Sequence, residues 1–553
     1  MSELFNLAKN WLEQDPDTET KTELTKLLEL AQSGDYDAER ELASRFDGRL
    51  QFGTAGLRGR LQAGPMGMNR VLVAQAAGGL ANYLKDYDKD QPSIVIGYDG
   101  RKNSDVFARD TAEIMAGAGI KAYLLPRMLP TPVLAFAIKY FDTTAGVMVT
   151  ASHNPPEDNG YKVYLGKANG GGQIVSPADK DIAKLIDKVA AGSITDLPRS
   201  KDFTVLSDEV VNAYIEKTAS LAKQPEADIN YVYTAMHGVG YEVLTKTLAK
   251  AGLPQPHLVK EQIQPDGTFP TVNFPNPEEK GALDLAIKLA KEKNAEFIIA
   301  NDPDADRLAV AVPDAEGNWK SLHGNVVGCL LGWYLAKQYQ AEGKKGVLAC
   351  SLVSSPALAE IAKKYGFESQ ETLTGFKYIG KVDGLLFGFE EALGYLVDPD
   401  KVRDKDGISA AVMFLDIVRY LKKQGKTLAD YAEEFTQEFG AYVSSQISIR
   451  VQDLSDISKL MAALRNNPPS EIGGFKVSQF VDHTKTDRQS DILVFTLENG
   501  SRLIVRPSGT EPKIKFYLDV RGDNAQHAEK VLAQFDESVR SLLRQEQYGK
   551  QDC

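Results

Sequence analysis

Apolar positions along this 553-residue chain recur with two different periods, and the switches between them mark out its elements. In residues 1 to about 45, Leu24, Leu27, Leu28 and Leu30 stand at helical spacing among acidic and basic neighbours, which predicts helices packed on the outside of the first domain. From about 50 to 200, short apolar runs at Ser93–Gly97 and Gly146–Thr150 read as strands and alternate with helix-like segments such as Val106–Gly117. That alternation predicts an α/β layer with a mostly parallel sheet. A second α/β unit starts near 205, with a strand at Tyr231–Ala235 and its last buried strand at Glu296–Ala300. A third, from about 316 to 440, carries a strand at Gly346–Cys350 followed by a helix over Ser355–Lys364. After about 441 the pattern becomes alternating strands at Gln446–Val451, Ile492–Leu497, Ser501–Val505 and Ile514–Leu518, then an amphipathic helix over Ala525–Arg544.

The expected fold class is therefore α/β: three successive α/β domains with mixed or parallel sheets, plus a C-terminal α+β domain, around a central cleft. The expected boundaries are 1–45 for a helical extension, then 46–204, 205–315, 316–440 and 441–553, and the length suits that many domains. Composition is that of a globular protein, with 43% hydrophobic and 25% charged residues. A net charge of -12 argues against nucleic acid and anionic membrane surfaces as partners, since the long-range field repels both. An anionic substrate then requires positive charge gathered locally in a cleft. Cys329, Cys350 and Cys553 have no metal-ligand spacing and are odd in number, so no disulfide framework is expected and a reducing cytoplasm fits best. The N-terminal segment lacks a basic region followed by an apolar core, and no run long enough to span a bilayer occurs. Cys553 is the last residue of this sequence and not four from the end, so no prenylation there is expected.

The candidate chemistry starts at Thr150-Ala-Ser-His-Asn-Pro-Pro156, a tight polar turn directly after the apolar run Ala145–Val149. Most turn serines are structural. Here Asn154–Lys162 reads as a rigid polar loop that returns a lysine towards Ser152. A Ser-His-Asp triad fits poorly, because His153 is adjacent in sequence and is expected to point away, and no Gly-x-Ser-x-Gly elbow is present. The second motif is Asp302-Pro-Asp-Ala-Asp-Arg307, directly after a buried strand. Three carboxylates at alternating positions repel one another unless a cation neutralises them. An EF-hand requires a glycine where Arg307 stands and a glutamate where Pro313 stands. With three protein oxygens supplied, a magnesium ion completed by a phosphoryl oxygen fits better than a closed calcium cage. The third motif, Arg506-Pro-Ser-Gly-Thr-Glu-Pro-Lys513, offers a guanidinium fork, hydroxyls, backbone donors and a lysine charge for a phosphate, though these residues alone also fit a plain hairpin turn.

In this order and separation, Thr150–Pro155 and Asp302–Arg307 resemble the α-D-phosphohexomutase family, which includes phosphoglucomutase and phosphomannomutase, and the likeness extends over about residues 50 to 520. The resemblance implies that a phosphoserine at Ser152 donates its phosphoryl group to a hexose monophosphate. The bisphosphate then turns over within the site and returns its other phosphate. It implies one Mg2+ per chain, held by Ser152, Asp302, Asp304 and Asp306, and glucose 1,6-bisphosphate as intermediate and activator. The four domains would then carry, in order, the phosphoserine, metal-binding, sugar-binding and phosphate-binding loops.

Gly388–Gly394 resembles the family's sugar-binding loop, with Glu390 placed to accept from two sugar hydroxyls, but Ala392 replaces a hydroxyl-bearing serine. Thr374, Gly375 and Lys377 resemble a loop that distinguishes sugar orientations, and Arg403 and Lys405 a further active-site stretch. Arg307 is implied as a substrate contact, and Arg506, Ser508, Gly509, Thr510 and Lys513 as the grip on the non-reacting phosphate. Arg58 lies in a glycine-rich turn with a family counterpart. His153 either aids proton transfer or anchors its loop, and Lys162 and Lys405 are the favoured acid/base aids. Arg101 also has a family counterpart, though a surface ion pair reads nearly as well.

The resulting expectation is a mutase interconverting glucose 1-phosphate and glucose 6-phosphate, with mannose or pentose phosphates as alternatives. Two other classes compete: a metal-dependent sugar phosphatase, which wants a second metal cluster that the sequence lacks, and a non-catalytic sugar-phosphate sensor, which has no need of both Ser152 and the aspartate triplet. The expected partners are small sugar phosphates, with monomer and weak dimer both open.

Overall fold

The helices of the N-terminal segment start where acidic caps allow: Asp17 accepts from the Glu19 amide ahead of Thr18–Gln32, and Asp35 from the Ala38 amide ahead of Tyr36–Arg45. A computed structural model of the chain describes residues 2–53, 56–451, 454–508 and 513–545. Four sheets follow one another along it, the four-domain α/β plan with mixed sheets and flanking helices. They lie in two compact units, the first made of Met1–Leu322, Phe376–Asp383 and Gly394–Arg419, the second of His323–Gly375, Gly384–Leu393 and Tyr420–Cys553.

In the first unit, the opening sheet runs in the order Leu57–Arg60, Asp158–Leu165, Ala145–Val149, Ser93–Tyr98, Lys121–Leu124, Thr204–Val205. Its centre is parallel, but Asp158–Leu165 is antiparallel to both of its neighbours, so the sheet is mixed where a mostly parallel one was expected. The expected polar loop 154–162 is likewise half strand. Asp158–Leu165 is buried on both faces except at its first residue, which removes the alternation that would have marked it. Lys162 therefore stands in mid-strand opposite Met148. Trp11, Leu24, Leu27, Leu28 and Leu42 of the N-terminal helices join the core of this sheet.

The second sheet runs Trp319–Ser321, Ala309–Pro313, Phe297–Ala300, Tyr231–Thr234, His257–Leu258. Phe297–Ala300 is thus not its last buried strand: Ala309–Pro313 returns antiparallel to it, with Ala300 opposite Ala309. The serine turn and the aspartate loop have the same local form, each joining a buried strand with a parallel neighbour to an antiparallel return.

In the second unit, Glu368–Thr372, Val347–Ser351 and Leu385–Glu390 pair in parallel. The last sheet is antiparallel, in the order Ala441–Arg450, Lys513–Gly522, Arg502–Pro507, Leu493–Leu497, Phe475–Asp482, Glu471–Ile472. Ile457, Leu460, Met461 and Leu464 of the helix Leu454–Asn466, and Val531, Phe535, Val539 and Leu543 of Ala525–Gln545, enter its core.

Candidate active site

Ser152 sits at the tip of the connection between Ala145–Val149 and Asp158–Leu165, with a left-handed backbone (φ 53°) that is unusual for a side-chain-bearing residue. Thr150 Oγ1 accepts from the Ser152 amide at 2.9 Å, closing the turn. The serine is 3% exposed, and its Oγ donates to Asp302 Oδ2 at 3.0 Å. His153 Nδ1 lies 3.2 Å from the same Oγ, so the histidine does not point away as its position in sequence implied. Burial, with the Arg307 and Arg58 charges, holds that imidazole well below its usual pKa, and it is neutral at physiological pH.

The aspartate loop is fixed through its backbone. Val239 N donates to Pro303 O (2.8 Å), Thr131 N to Asp304 O (2.9 Å), and Gly407 N to Ala305 O (3.2 Å). A Cβ on Gly238 would lie 2.3 Å from both Cα and O of Pro303, so the 236–240 segment reaches the loop only because glycine stands there. Asp302, Asp304 and Asp306 are fully buried, with carboxylate oxygens within 4.8 Å of one another. Thr131 Oγ1 donates to Asp304 Oδ2 at 2.6 Å, and Lys162 Nζ contacts Asp304 Oδ2 at 2.8 Å and Asp306 Oδ2 at 3.2 Å. Lys405 Nζ also reaches Asp306 Oδ2 at 3.2 Å, and Arg307 Nε faces Asp302 Oδ2 at 3.9 Å. Arg58, on the strand Leu57–Arg60, donates to Asn154 Oδ1 at 3.2 Å.

Four cations thus surround three carboxylates, and each carboxyl responds to its own neighbours. Burial, with repulsion from Asp304 and Asp306, pushes the Asp302 carboxyl well up. At Asp306 burial pulls the same way, but Lys162, Lys405 and Arg307 win and hold it down. Lys162 is in turn raised, its burial outweighed by Asp304 and Asp306, so its ammonium keeps its proton.

Asp304 Oδ1 and Asp306 Oδ1 are buried without a hydrogen-bond partner. Two such oxygens beside Asp302 and Ser152 Oγ are a hard donor set that fits a divalent cation such as magnesium.

The remaining residues singled out in the sequence have other surroundings. Lys377, in the short helix Phe376–Ile379, is pushed down to about 8 by burial, against the pull of Asp179. Arg403 Nη1 lies 3.5 Å from Val382 O. In the second unit, Glu390 ends the strand Leu385–Glu390 and is buried, while Glu391 accepts from Ser351 and Ser354 hydroxyls at 3.3 Å. Thr374 Oγ1 is buried without a hydrogen-bond partner, beside Gly375 at φ 118°. Arg506 Nη1 approaches the Tyr517 hydroxyl at 3.3 Å, and Ser508 N donates to Lys513 O at 2.8 Å. Gly509 and Thr510 lie outside the described residues. Sequence reasoning missed Thr131, which only the fold brings to Asp304, and undervalued Arg101. The latter is not a surface residue: it is 4% exposed beneath the serine turn.

Known proteins carry the same organisation. Residues 49–192, 212–317, 323–439 and 447–538 match, in order, α/β/α domains I, II and III and the C-terminal domain of phosphoglucomutase/phosphomannomutase. The chain is 85% identical over 488 residues to a probable phosphomannomutase of Haemophilus influenzae, covering 88% of this chain and all of the relative. It is 36% identical over 535 residues to human phosphopentomutase, covering 87% and 86% of the two chains. It is also 36% identical over 508 residues to a Staphylococcus haemolyticus phosphoglucomutase, covering 87% and 92%. With all four domains matched in sequence and such relatives spanning most of their length, the chain belongs to the phosphoglucomutase/phosphomannomutase family of phosphosugar mutases.

Proposed function

We propose that this protein interconverts glucose 1-phosphate and glucose 6-phosphate by reversible phosphoryl transfer through Ser152, with glucose 1,6-bisphosphate as the intermediate that also primes the serine. The observation that carries this reading is the 3.0 Å contact between Ser152 Oγ and a buried triad of carboxylates ringed by lysines and arginines. In the first half-reaction the bond between phosphorus and Ser152 Oγ breaks as a sugar hydroxyl oxygen bonds to the same phosphorus, and the hydroxyl proton passes by way of His153 to the departing Oγ. In the second, the other phosphate returns to Oγ. The two half-reactions use one pocket, which favours fixed charges over a dedicated leaving-group acid. Mg2+, held by Ser152, Asp302, Asp304 and Asp306, would supply charge neutralisation at the phosphoryl oxygens.

Among the chain's own groups, neutral His153 offers Nδ1 to the Ser152 proton when the serine is rephosphorylated. Lys162 and Lys405 assist the sugar hydroxyl as fixed cations that donate hydrogen bonds, since the carboxylates beside Lys162 keep its ammonium protonated. Arg58 and Arg307 complete the positive rim for the transferring group. Glu390 orients sugar hydroxyls, Thr374, Gly375, Lys377 and Arg403 contact the sugar phosphate, and Arg506, Ser508, Gly509, Thr510 and Lys513 grip the phosphate at rest. The cytoplasm is the expected compartment; among the described residues no helix is long and apolar enough to cross a membrane.

A mannose or pentose phosphate is the competing substrate. It is favoured by Ala392, which lacks a hydroxyl in the sugar loop, and by the names of the relatives from Haemophilus influenzae and human. Phosphorus NMR with Mg2+ and a trace of bisphosphate decides. Each of glucose, mannose and ribose 1-phosphate is supplied in turn, and the sugar whose signal moves fastest to the terminal phosphate is the substrate. Release of inorganic phosphate alone would instead indicate a phosphatase, and no change with any sugar a sensor.

A further inference from the structure

Arg101 is buried behind the serine turn, in the connection from the strand Ser93–Tyr98 to the helix Ser104–Gly117. Its Nη2 donates to Ser152 O at 2.7 Å and Asn154 O at 2.6 Å, and its Nη1 to Pro155 O at 2.8 Å and Asp158 O at 3.1 Å. Its Nε faces Asp99 Oδ2 at 3.5 Å, and the guanidinium lies 4.9 Å from the centroid of the Phe269 ring. Four carbonyl oxygens of one seven-residue stretch thus converge on a single planar cation. Without it, their dipoles would converge with no cation between them, while Pro155 O would keep a backbone donor in the Asp158 amide at 3.1 Å. The stretch includes Ser152, whose left-handed backbone is strained and persists only where its surroundings impose it.

The clamp is itself anchored. Asp99 Oδ1 accepts from the Arg101 amide (3.0 Å) and from Ser104 Oγ (2.6 Å). Asn159, in the returning strand, donates to Ser104 Oγ and to Lys102 O. Arg101 makes no contact with the aspartates: it meets the reacting serine only through the serine's own carbonyl.

We propose that Arg101 is the positioning residue that holds the Ser152 turn in the shape that aims Oγ at the aspartate cluster, an inference that rests on Ser152 being the nucleophile. A lysine at 101 brings one charge and three donors from a single nitrogen, which cannot span four carbonyls in one plane. The turn then relaxes and Oγ drifts from Asp302.

The test uses full-length Arg101→Lys, Arg101→Met and Arg101→Ala with Mg2+ and sugar bisphosphate. It reads kcat, KM, magnesium affinity and the phosphate on Ser152 by mass spectrometry. A nucleophile displaced by about 1 Å loses on the order of 10²-fold in kcat, and phosphorylation of Ser152 should slow in parallel. KM should stay within about threefold, because the groups that bind the sugar phosphate are untouched, whereas magnesium affinity should weaken along with kcat, because Ser152 Oγ stands beside the cation's carboxylates. Arg101 borders a surface groove of about 710 Å3 with Pro156 and Glu157, which gives methylguanidinium a route to the space left in Arg101→Ala, and rescue of kcat by that ion is expected. Turnover and Ser152 phosphorylation at wild-type rates in the lysine and methionine variants would overturn the proposal. So would collapse of the whole domain in all three variants, which would make Arg101 a general stabiliser and not a holder of the turn. Absence of phosphate on wild-type Ser152 would remove the nucleophile reading, a result separable from either.

Discussion

At Ser152, three short-range facts converge: a left-handed backbone, an amide tied to Thr150 Oγ1, and a hydroxyl donated to Asp302. Ser152→Ala deletes the acceptor of the phosphoryl group and little else, so turnover should fall by at least about 10³-fold with the melting temperature unchanged. Residual exchange near the wild-type rate would remove the serine from the mechanism. Asp304→Asn keeps the volume but removes the negative charge and one of the two acceptor oxygens, and magnesium titration should show affinity weakened by about tenfold or more. Lys377 yields a pH prediction. Burial lowers its ammonium to about 8, so its charge is present below that pH and lost as pH rises through it. If it contacts the sugar phosphate, KM should climb above about pH 8, and Lys377→Arg should remove that break because a guanidinium stays charged. A KM flat to pH 9.5 or so would take Lys377 out of the binding site.

Elements place these residues through their ends. Ala145–Val149 and Phe297–Ala300 are fully buried strands whose returns run antiparallel, so each connection is short and pinned on both sides. The aspartate loop borrows further support from Thr131 at the start of the helix Thr131–Tyr140 and from the segment 236–240. Gly238→Ala would press a methyl into Pro303, and Pro303 lies between two of the carboxylates. The loop must shift, and magnesium affinity should drop by about 10–100-fold while sugar phosphate binding changes little. Equal magnesium titrations for variant and wild type would show that the 236–240 contact is only packing.

At the scale of the molecule, the N-terminal helices are part of the first domain's core and not an appendage. Trp11, Leu24, Leu27, Leu28 and Leu42 are buried in it, and each such side chain is worth about 1.5–3 kcal/mol. Removing residues 1–45 should therefore lower the melting temperature sharply or yield insoluble protein. A truncated chain with unchanged melting would show that these helices only rest on the surface. Arg45 ties the segment's own helices together through Glu23 and Glu41, and Met66 N, from the domain beyond, donates to Arg45 O.

The sequence alone determined the succession of α/β units and the change of pattern after about 441, because amphipathic period and strand length are local properties. It also marked the serine turn and the aspartate triplet. Closely spaced like charges and a serine among prolines have few stable uses, so their spacing carries the chemistry. The strand Asp158–Leu165 escaped notice because burial on both faces erases alternation, and with it went the true setting of Lys162. His153 beside the serine oxygen, Thr131 on Asp304 and the Arg101 clamp were decided only by tertiary structure. Each depends on a backbone twist or on a contact between residues far apart in the chain, and no local pattern of residues encodes either.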